Sequence, residues 1–245
     1  MRVLPNEVEF AQFSLNVGDG LLNDSDDNLQ IPAHCVAPAD PDIVEDSCGQ
    51  LARARQFKHV AKCAIPSARN VDVEDINPRV VNLFDGATEH LYTNVDSTEN
   101  CGDNDQINET ILPEYLNTLS PPSLPPHELR LRKYCIIMLI LNLSIKEGLC
   151  NGTRLLVLDL GNTILRCEIL SGDKTGEIFF LHRITLYCEN EYPFTFKRRQ
   201  FPVKVSFAMT INESQGQTFE RISVDLRQDV FNYGQLYVAF SRVCS

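Results

Sequence analysis

The first regular pattern along the chain is VEFAQFSLNV, residues 8–17, where Val8, Phe10, Phe13 and Val17 recur at spacings of two, three and four. This fits one face of a short helix, which Gly18 and Gly20 then stop. The acidic, turn-rich DGLLNDSDDNLQIP reads as a loop or hairpin tip leading to an extended Leu29 to Val36. AKCAIPSARNVDVEDINPRVVNLF, from Ala61, predicts a short buried strand, a polar loop and a helix from near Val71. Asp72, Glu74 and Asp75 sit well in that helix's first turn, and Pro78 is expected to interrupt or kink it. Residues 93–111 are polar without apolar periodicity and are expected to be mobile, and the Pro-rich SPPSLPPHE, Ser120 to Glu128, is expected to be a linker marking a boundary.

Beyond it the pattern changes to short β-type runs, KYCIIMLILNL, TRLLVLDL, TILRCEIL and EIFFLHRITLY, separated by Gly-containing turns. Their spacing predicts a small barrel or sandwich, closed by the basic KRRQFPVK, residues 197–204. The final section predicts a buried strand through VSFAMT, a polar Gly turn running into a short helix start, a second strand at Ile222 to Leu226, and a helix in FNYGQLYVAFSRV with Leu236, Ala239 and Phe240 on one face. Such a succession fits an α/β unit with a parallel sheet.

Composition narrows the function classes. The 245 residues can bury a core, and the longest apolar stretch, Tyr134 to Leu141, is far short of the roughly 20 residues that span a bilayer. Glu7 and Glu9 precede any apolar core of signal-peptide length, so an intracellular location is expected. Nine cysteines without a Cys-x-x-Cys pair offer neither a zinc ribbon nor a thioredoxin-like motif, and they read as reduced thiols. No metal site is expected. The net charge of −11 argues against a polyanionic partner until it is divided: residues 1–120 hold 21 acidic and 7 basic side chains, residues 121–245 hold 12 and 15.

Candidate chemistry gathers at INESQGQT. Phosphate-binding α/β proteins place polar, Gly-containing loops at the carboxyl ends of their strands, where backbone amides approach an anion. Gln215, Gly216, Gln217 and Thr218 offer donors without bulk, and Arg242 supplies a guanidinium suited to bidentate phosphate contact. By pattern alone such a loop is more often merely a turn, and a lone arginine more often sits on a solvated helix face.

LPPHELRLRK, NLSIKEGLCNGTRLLVLDLGN, KRRQFPVKVSFAMTINESQGQTF and GQLYVAFSRV together resemble the C-terminal half of the eukaryotic petite-integration-frequency helicases, especially the version carried by Helitron transposons. The resemblance covers about Leu124 to Ser245 and extends more weakly upstream through FAQFSLNVGDG and AIPSARNVDVEDIN. It implies an ATP-dependent superfamily 1 helicase moving 5′ to 3′ on single-stranded DNA, with family roles in DNA repair, recombination and telomere maintenance or in Helitron transposition. The implied fold is α/β: a RecA-like, P-loop NTPase-type second motor domain at 52–141 and 202–245, with a small SH3-like β-barrel inserted at 142–201 and residues 1–51 forming the junction with a first motor domain.

The resemblance also assigns residues. AMTINESQGQT corresponds to the family's fifth motif, between bound DNA and triphosphate, and VAFSR to the sixth, whose arginine, here Arg242, is the catalytic sensor of the γ-phosphate. Nucleotide contacts are expected at Gln215, Gly216 and Arg242, and DNA contacts at Thr210, Asn212, Ser214, Thr218, Lys197, Arg198 and Arg199. Asn70 matches a polar position after the first strand, although Ala68 and Arg69 replace the usual Pro-Thr. Glu213 stands where the family has Lys, and Lys133-Tyr134-Cys135-Ile136 replaces Val-Gly-Ala-Pro, while Asn142, Asn151, Gly152 and Thr153 persist. ATP and Mg²⁺ are implied for a complete enzyme, yet the sequence contains no Gly-x-x-x-x-Gly-Lys-Ser/Thr and no Asp-Glu strand end. The expectation is therefore a helicase portion, from a fragment or a decayed transposon copy, inactive without a first RecA-like domain. The alternatives are a non-enzymatic single-stranded DNA binder using Lys197 to Lys204 with Phe194, Phe196 and Phe201, or a relic without function.

Overall fold

The computed structural model of the chain describes residues 8–25, 28–37, 42–99, 113–119, 121, 123–189, 191–227 and 233–243. Helix α1, Val8–Gly18, forms where the periodicity places it, with Val17 fully buried, although Val8 is exposed. It ends as the glycines predict. Gly20 takes φ +69, its N–H donates to Val17 and that of Leu21 to Asn16, the paired bonds that close a helix with a left-handed residue. The acidic tip follows, bridged between Asn23 and Leu29, and the stretch expected to be extended is broken by a 3-10 turn at Ala33–Cys35. A π turn, Glu45–Gly49, runs into α2, Gln50–Arg53, and α3, Phe57–Val60, leads to the wholly buried strand β1, Cys63–Ser67.

Helix α4, Asn70–Val81, buries Val73, Ile76, Asn77, Val80 and Val81, one continuous face of a 3.6-residue helix. Pro78 does not interrupt it. Pro78 and Glu74, whose carbonyl loses its partner, both lie at exposed positions, where water can take up the freed group.

The chain divides into two compact units, residues 1–83 with 206–245, and residues 84–205. The second contains β2, His90–Thr93; β3, Val95–Glu99; α5, Pro113–Thr118; β4, Glu128–Leu131; β5, Ile136–Leu139; β6, Arg154–Leu160; β7, Ile164–Ile169; β8, Ile178–His182; β9, Ile184–Cys188; β10, Thr195–Gln200; and β11, Val203–Val205. Five form an antiparallel sheet in the order β11-β5-β6-β7-β8, three form β3-β10-β9, and β2 pairs with β4. Alternation supplies the core, in which Leu139, Leu155, Val157, Leu165, Leu181 and Phe201 meet.

Three expectations need correction here. Residues 95–99, in the stretch expected to be mobile, form β3, because β10 supplies their hydrogen-bonding edge; residues 100–112 lie outside the described residues. The Pro-rich segment is no boundary: Pro121, Leu124 and Pro125 are buried inside the second unit. That unit is also wider than the 142–201 expected for an insertion, taking in 84–141 as well.

The last segment returns to the first unit as β12, Ala208–Thr210; β13, Arg221–Ile222; and α6, Tyr233–Phe240. Strand β1 lies between β12 and β13, parallel to both, with Ile65 opposite Ala208 and Ser67 opposite Thr210. The parallel α/β unit is thus present, but the loop after β12 turns without a helix start. Rings of α1 and α6 meet where Phe13 stands 6.0 Å from Phe240. Among the described residues the cysteines are free, and burial pushes the Cys135 and Cys167 thiols up to about 12. No described helix is long and apolar enough to cross a membrane.

Two stability outcomes follow. Asn77 accepts from the N–H groups of Phe207, at 3.1 Å, and Ala208, at 2.9 Å, and donates to the Ala208 carbonyl at 2.9 Å. Asn77→Leu leaves these buried groups unpaired and should cost about 3 kcal/mol; a urea midpoint close to wild type would contradict the assignment. Tyr134 occupies φ +70 in a turn closed by the Cys135 N–H to the Arg132 carbonyl, the third position of such turns, which favours glycine. Tyr134→Gly should gain about 1 kcal/mol by relieving the left-handed strain, and a lowered melting temperature would show that contacts of the tyrosine ring outweigh it.

Candidate functional site

The carboxyl ends of β1, β12 and β13 converge on one edge of the parallel sheet. Thr210 closes β12 beside Ser67, and Asp225 bridges to Ser67 from the other side. From Thr210 the chain turns at once. Thr210 N–H donates to Glu213 Oε2 at 3.2 Å and Glu213 N–H donates to Thr210 Oγ1 at 3.3 Å, a reciprocal pair of the kind that Thr-x-x-Glu makes at helix starts. Ser214 is fully buried and its hydroxyl donates to the Ile211 carbonyl at 2.6 Å. Gln217 Nε2 ties back to the Glu213 carbonyl at 3.2 Å.

This network divides the expected contacts. Asn212, Gln215, Gly216 and Thr218 are exposed at the loop surface, whereas Ser214 is consumed in building the loop and Thr210 is half-buried. Gly216 takes φ +76, and a Cβ there would meet nothing within 4 Å, so backbone conformation rather than crowding selects glycine.

Arg242 is tied to the same loop through the main chain. The N–H of buried Phe219, next after Thr218, donates to the Arg242 carbonyl at 2.9 Å, and Phe219 forms a parallel bridge with Val243. The guanidinium folds back on the end of α6: Nε donates to the Val238 carbonyl at 3.1 Å and Nη2 to Ser241 Oγ at 2.8 Å. A cation there complements the negative end of the helix.

Charged residues missed by sequence reasoning line the same edge. Asp225, almost fully buried, accepts two bonds from the Arg227 guanidinium, each 2.9 Å, one from the Arg227 N–H at 3.2 Å and one from the Ser67 hydroxyl at 3.4 Å. Arg69 holds Asp72 through two 2.9 Å bonds and keeps its carboxyl below the usual carboxylate range. Asn70, beside Arg69, is exposed at the start of α4. The signal in the sequence was the Asp-x-Arg step that ends the apolar ISVDL run. No group of three or more His, Cys, Asp or Glu among the described residues could hold a metal ion.

The basic run in the second unit must be corrected. Neighbours on a strand face opposite ways, so Lys197, Arg198 and Arg199 on β10 cannot act together. Arg198 is 0% exposed; it grips Asp96 at 2.9 and 2.8 Å and donates to the carbonyls of Pro125 and Leu119 at 3.0 Å. It is a core residue rather than a DNA contact. Lys197 and Arg199 face the other side, Lys197 paired with Glu99 at 2.7 Å and Arg199 exposed. Phe194, Phe196 and Phe201 are buried and cannot stack on bases.

Comparison with known proteins places this architecture. The fold is that of solved DNA helicases: a Pif1 helicase from Candida albicans matches 97% of this chain and 51% of its own with a TM-score of 0.62 at 21% identity. A Bacteroides Pif1 solved bound to single-stranded DNA matches 83% of this chain and 46% of its own with a TM-score of 0.53 at 20% identity. Within that class the chain is a relative of the Pif1 helicases. Residues 114–160 match the family model of the DNA helicase Pif1 2B domain, and the ATP-dependent DNA helicase PIF1 of Danio rerio is 32% identical over 177 residues, 71% of this chain and 25% of that protein. The human PIF1 is 32% identical over 136 residues, 54% of this chain and 20% of its own length. The chain thus spans about a quarter or less of these curated relatives and about half of the solved structures. The 2B match lies wholly inside the 84–205 unit.

The buried pair gives a prediction. Arg198→Met strands the Asp96 carboxylate and should destabilise the chain by about 3–5 kcal/mol, whereas Arg199→Gln, at the surface, should stay within about 0.5 kcal/mol. Chemical denaturation of both variants separates a structural Arg198 from a contact residue, since equal small losses would remove the structural role.

Proposed function

We propose that this chain is the second-motor portion of an ATP-dependent 5′-to-3′ DNA helicase acting on single-stranded DNA. In this reading the RecA-like second motor domain is the parallel-sheet unit, 52–83 with 206–245, and the SH3-like barrel expected at 142–201 lies within the inserted unit 84–205. The observation that carries it is the 2.9 Å bond from the Phe219 N–H to the Arg242 carbonyl, which sets the arginine's main chain at the base of the Gln215–Thr218 loop. One main-chain hydrogen bond thereby couples a loop facing DNA to a group that senses the nucleotide. The Helitron, repair, recombination and telomere roles and the nuclear location of the helicases it resembles belong to the same proposal.

The residues present fit one side of a nucleotide site. The exposed Gln215–Gly216 turn leaves room for a phosphate-sized neighbour, and Arg242 can reach outward only by leaving Ser241 and the helix end. They do not provide a phosphate cradle, since the sequence holds no Gly-x-x-x-x-Gly-Lys-Ser/Thr, or a cluster for Mg²⁺ among the described residues. Bound between two motor domains, ATP supplies the phosphoryl-transfer free energy. What this chain contributes is the arginine that answers charge on the departing phosphate and the loop that registers it. The first motor domain with its P-loop is a required partner in this proposal.

Two measurements test the reading. The purified chain should bind a labelled single-stranded oligonucleotide with an affinity that falls steeply between 50 and 200 mM salt, on the order of the decades expected for several phosphate contacts; no binding at low salt would overturn it. The same preparation should release phosphate from ATP no faster than a buffer blank. Turnover that exceeds the blank and survives Arg242→Ala would remove Arg242 from its role.

A further inference from the structure

The three-stranded sheet β3-β10-β9 has one face closed by Phe196, Arg198 and Gln200 and one face open. Pairing places side chains on the open face in rows. Arg199 lies opposite Val95 on one side and Thr185 on the other; Lys197 lies opposite Ser97 and Tyr187. Val95 is 65% exposed and Tyr187 53%, on the two outer strands that flank β10, so both stand beside its open face. Lys197 Nζ stands 5.6 Å from the Tyr187 ring centroid. The flanking Ser97 and Thr185 are small and exposed, so a ligand can approach the sheet along β10.

Charge complementarity selects the occupant. Arg199 and Lys197 are two residues apart on one strand, hence roughly 7 Å, a spacing that successive phosphates of an extended single strand can meet. The exposed tyrosine beside them offers the sequence-tolerant stacking surface that single-strand binders combine with cations. A duplex keeps its bases inside and cannot use the ring. Glu99, bound to Lys197 at 2.7 Å, competes with the phosphate for that cation.

We propose that this open face is a single-stranded DNA platform on which Arg199 and Lys197 take neighbouring phosphates and Tyr187 stacks a base. It rests on the reading of the chain as a single-stranded DNA-acting protein and adds a contact surface in the second unit, away from the Gln215–Thr218 loop in sequence. The alternative reading of the sequence offered Phe194, Phe196 and Phe201 as stacking surfaces; they are buried, and the strand register brings Tyr187 outward instead.

Fluorescence anisotropy of the full chain with a fluorescein-labelled thymidine 12-mer tests it. Tyr187→Ala should weaken binding roughly ten-fold, the scale of one lost base stack, while Tyr187→Phe, which keeps the ring, should bind as wild type. Arg199→Gln should weaken binding and reduce the salt slope by about one. Glu99→Gln should tighten it by freeing Lys197. If the wild type binds and all four variants match it, the platform is overturned while the helicase reading stands. If the wild type does not bind, both fall. Should Tyr187→Ala lose its circular dichroism signal, Arg199→Gln and Glu99→Gln decide, and unchanged affinity in both overturns the proposal. Equal affinity for the same 12-mer annealed to its complement also overturns it.

Discussion

The first unit depends on a single buried amide. Its chain leaves at Leu83 and returns at Ser206, with the whole second unit between, so a long loop must close before β12 can pair with β1. Asn77, on the buried face of α4, meets the returning strand as it enters, taking the N–H groups of Phe207 and Ala208 on one oxygen and giving a hydrogen to the Ala208 carbonyl. These three bonds fix where β12 begins. A parallel strand slipped by one residue would turn every side chain to the other face, and Thr210 would no longer stand beside Ser67. Loop geometry, the Phe219–Arg242 bond and the sheet edge all follow from that register.

Elements driven by their own pattern were legible. The continuous apolar run of β1, the period of α4 and the Gly-separated strands from Ile136 onward each carry their burial in local sequence. What escaped depends on partners distant in the chain. Strand β3 is polar because its outer face meets solvent and its inner face carries Asp96, whose partner Arg198 lies 102 residues away. No local window shows that Val-Asp-Ser-Thr-Glu will find an edge. The Pro-rich segment misled for a related reason: proline cannot donate, yet its carbonyl accepts, and Pro125 satisfies the buried guanidinium of Arg198. In the candidate site, the loop and Arg242 were named from sequence, but the division between exposed Gln215 and buried Ser214 needed the fold.

Departures from the helicase pattern acquire physical meaning at two positions. Where the pattern has glycine, Tyr134 is forced to φ +70, so the backbone of that turn persists though the residue suited to it does not. Glu213, a charge reversal, is held against the Thr210 N–H in a reciprocal bond that braces the loop from within. A lysine there could offer no acceptor to that N–H. The carboxylate therefore repairs a backbone donor at the strand end while removing a cation from the loop.

Pairing, rather than charge count, determines what a polyanion would meet. Of the basic residues that leave the second half net positive, Arg198 is sealed in the core, Arg227 is held by Asp225, and Arg242 rests on its own helix end. Lys197 is shared with Glu99 and Arg199 is exposed on the open face of β10. Arg198 cannot be lent to a ligand without leaving the buried Asp96 carboxylate behind, whereas the partly exposed Lys197–Glu99 pair costs less to exchange. Strand alternation makes this sorting unavoidable: three successive basic residues must divide between core and solvent. The same alternation that removes Arg198 from the surface puts Lys197 and Arg199 on one face beside Tyr187.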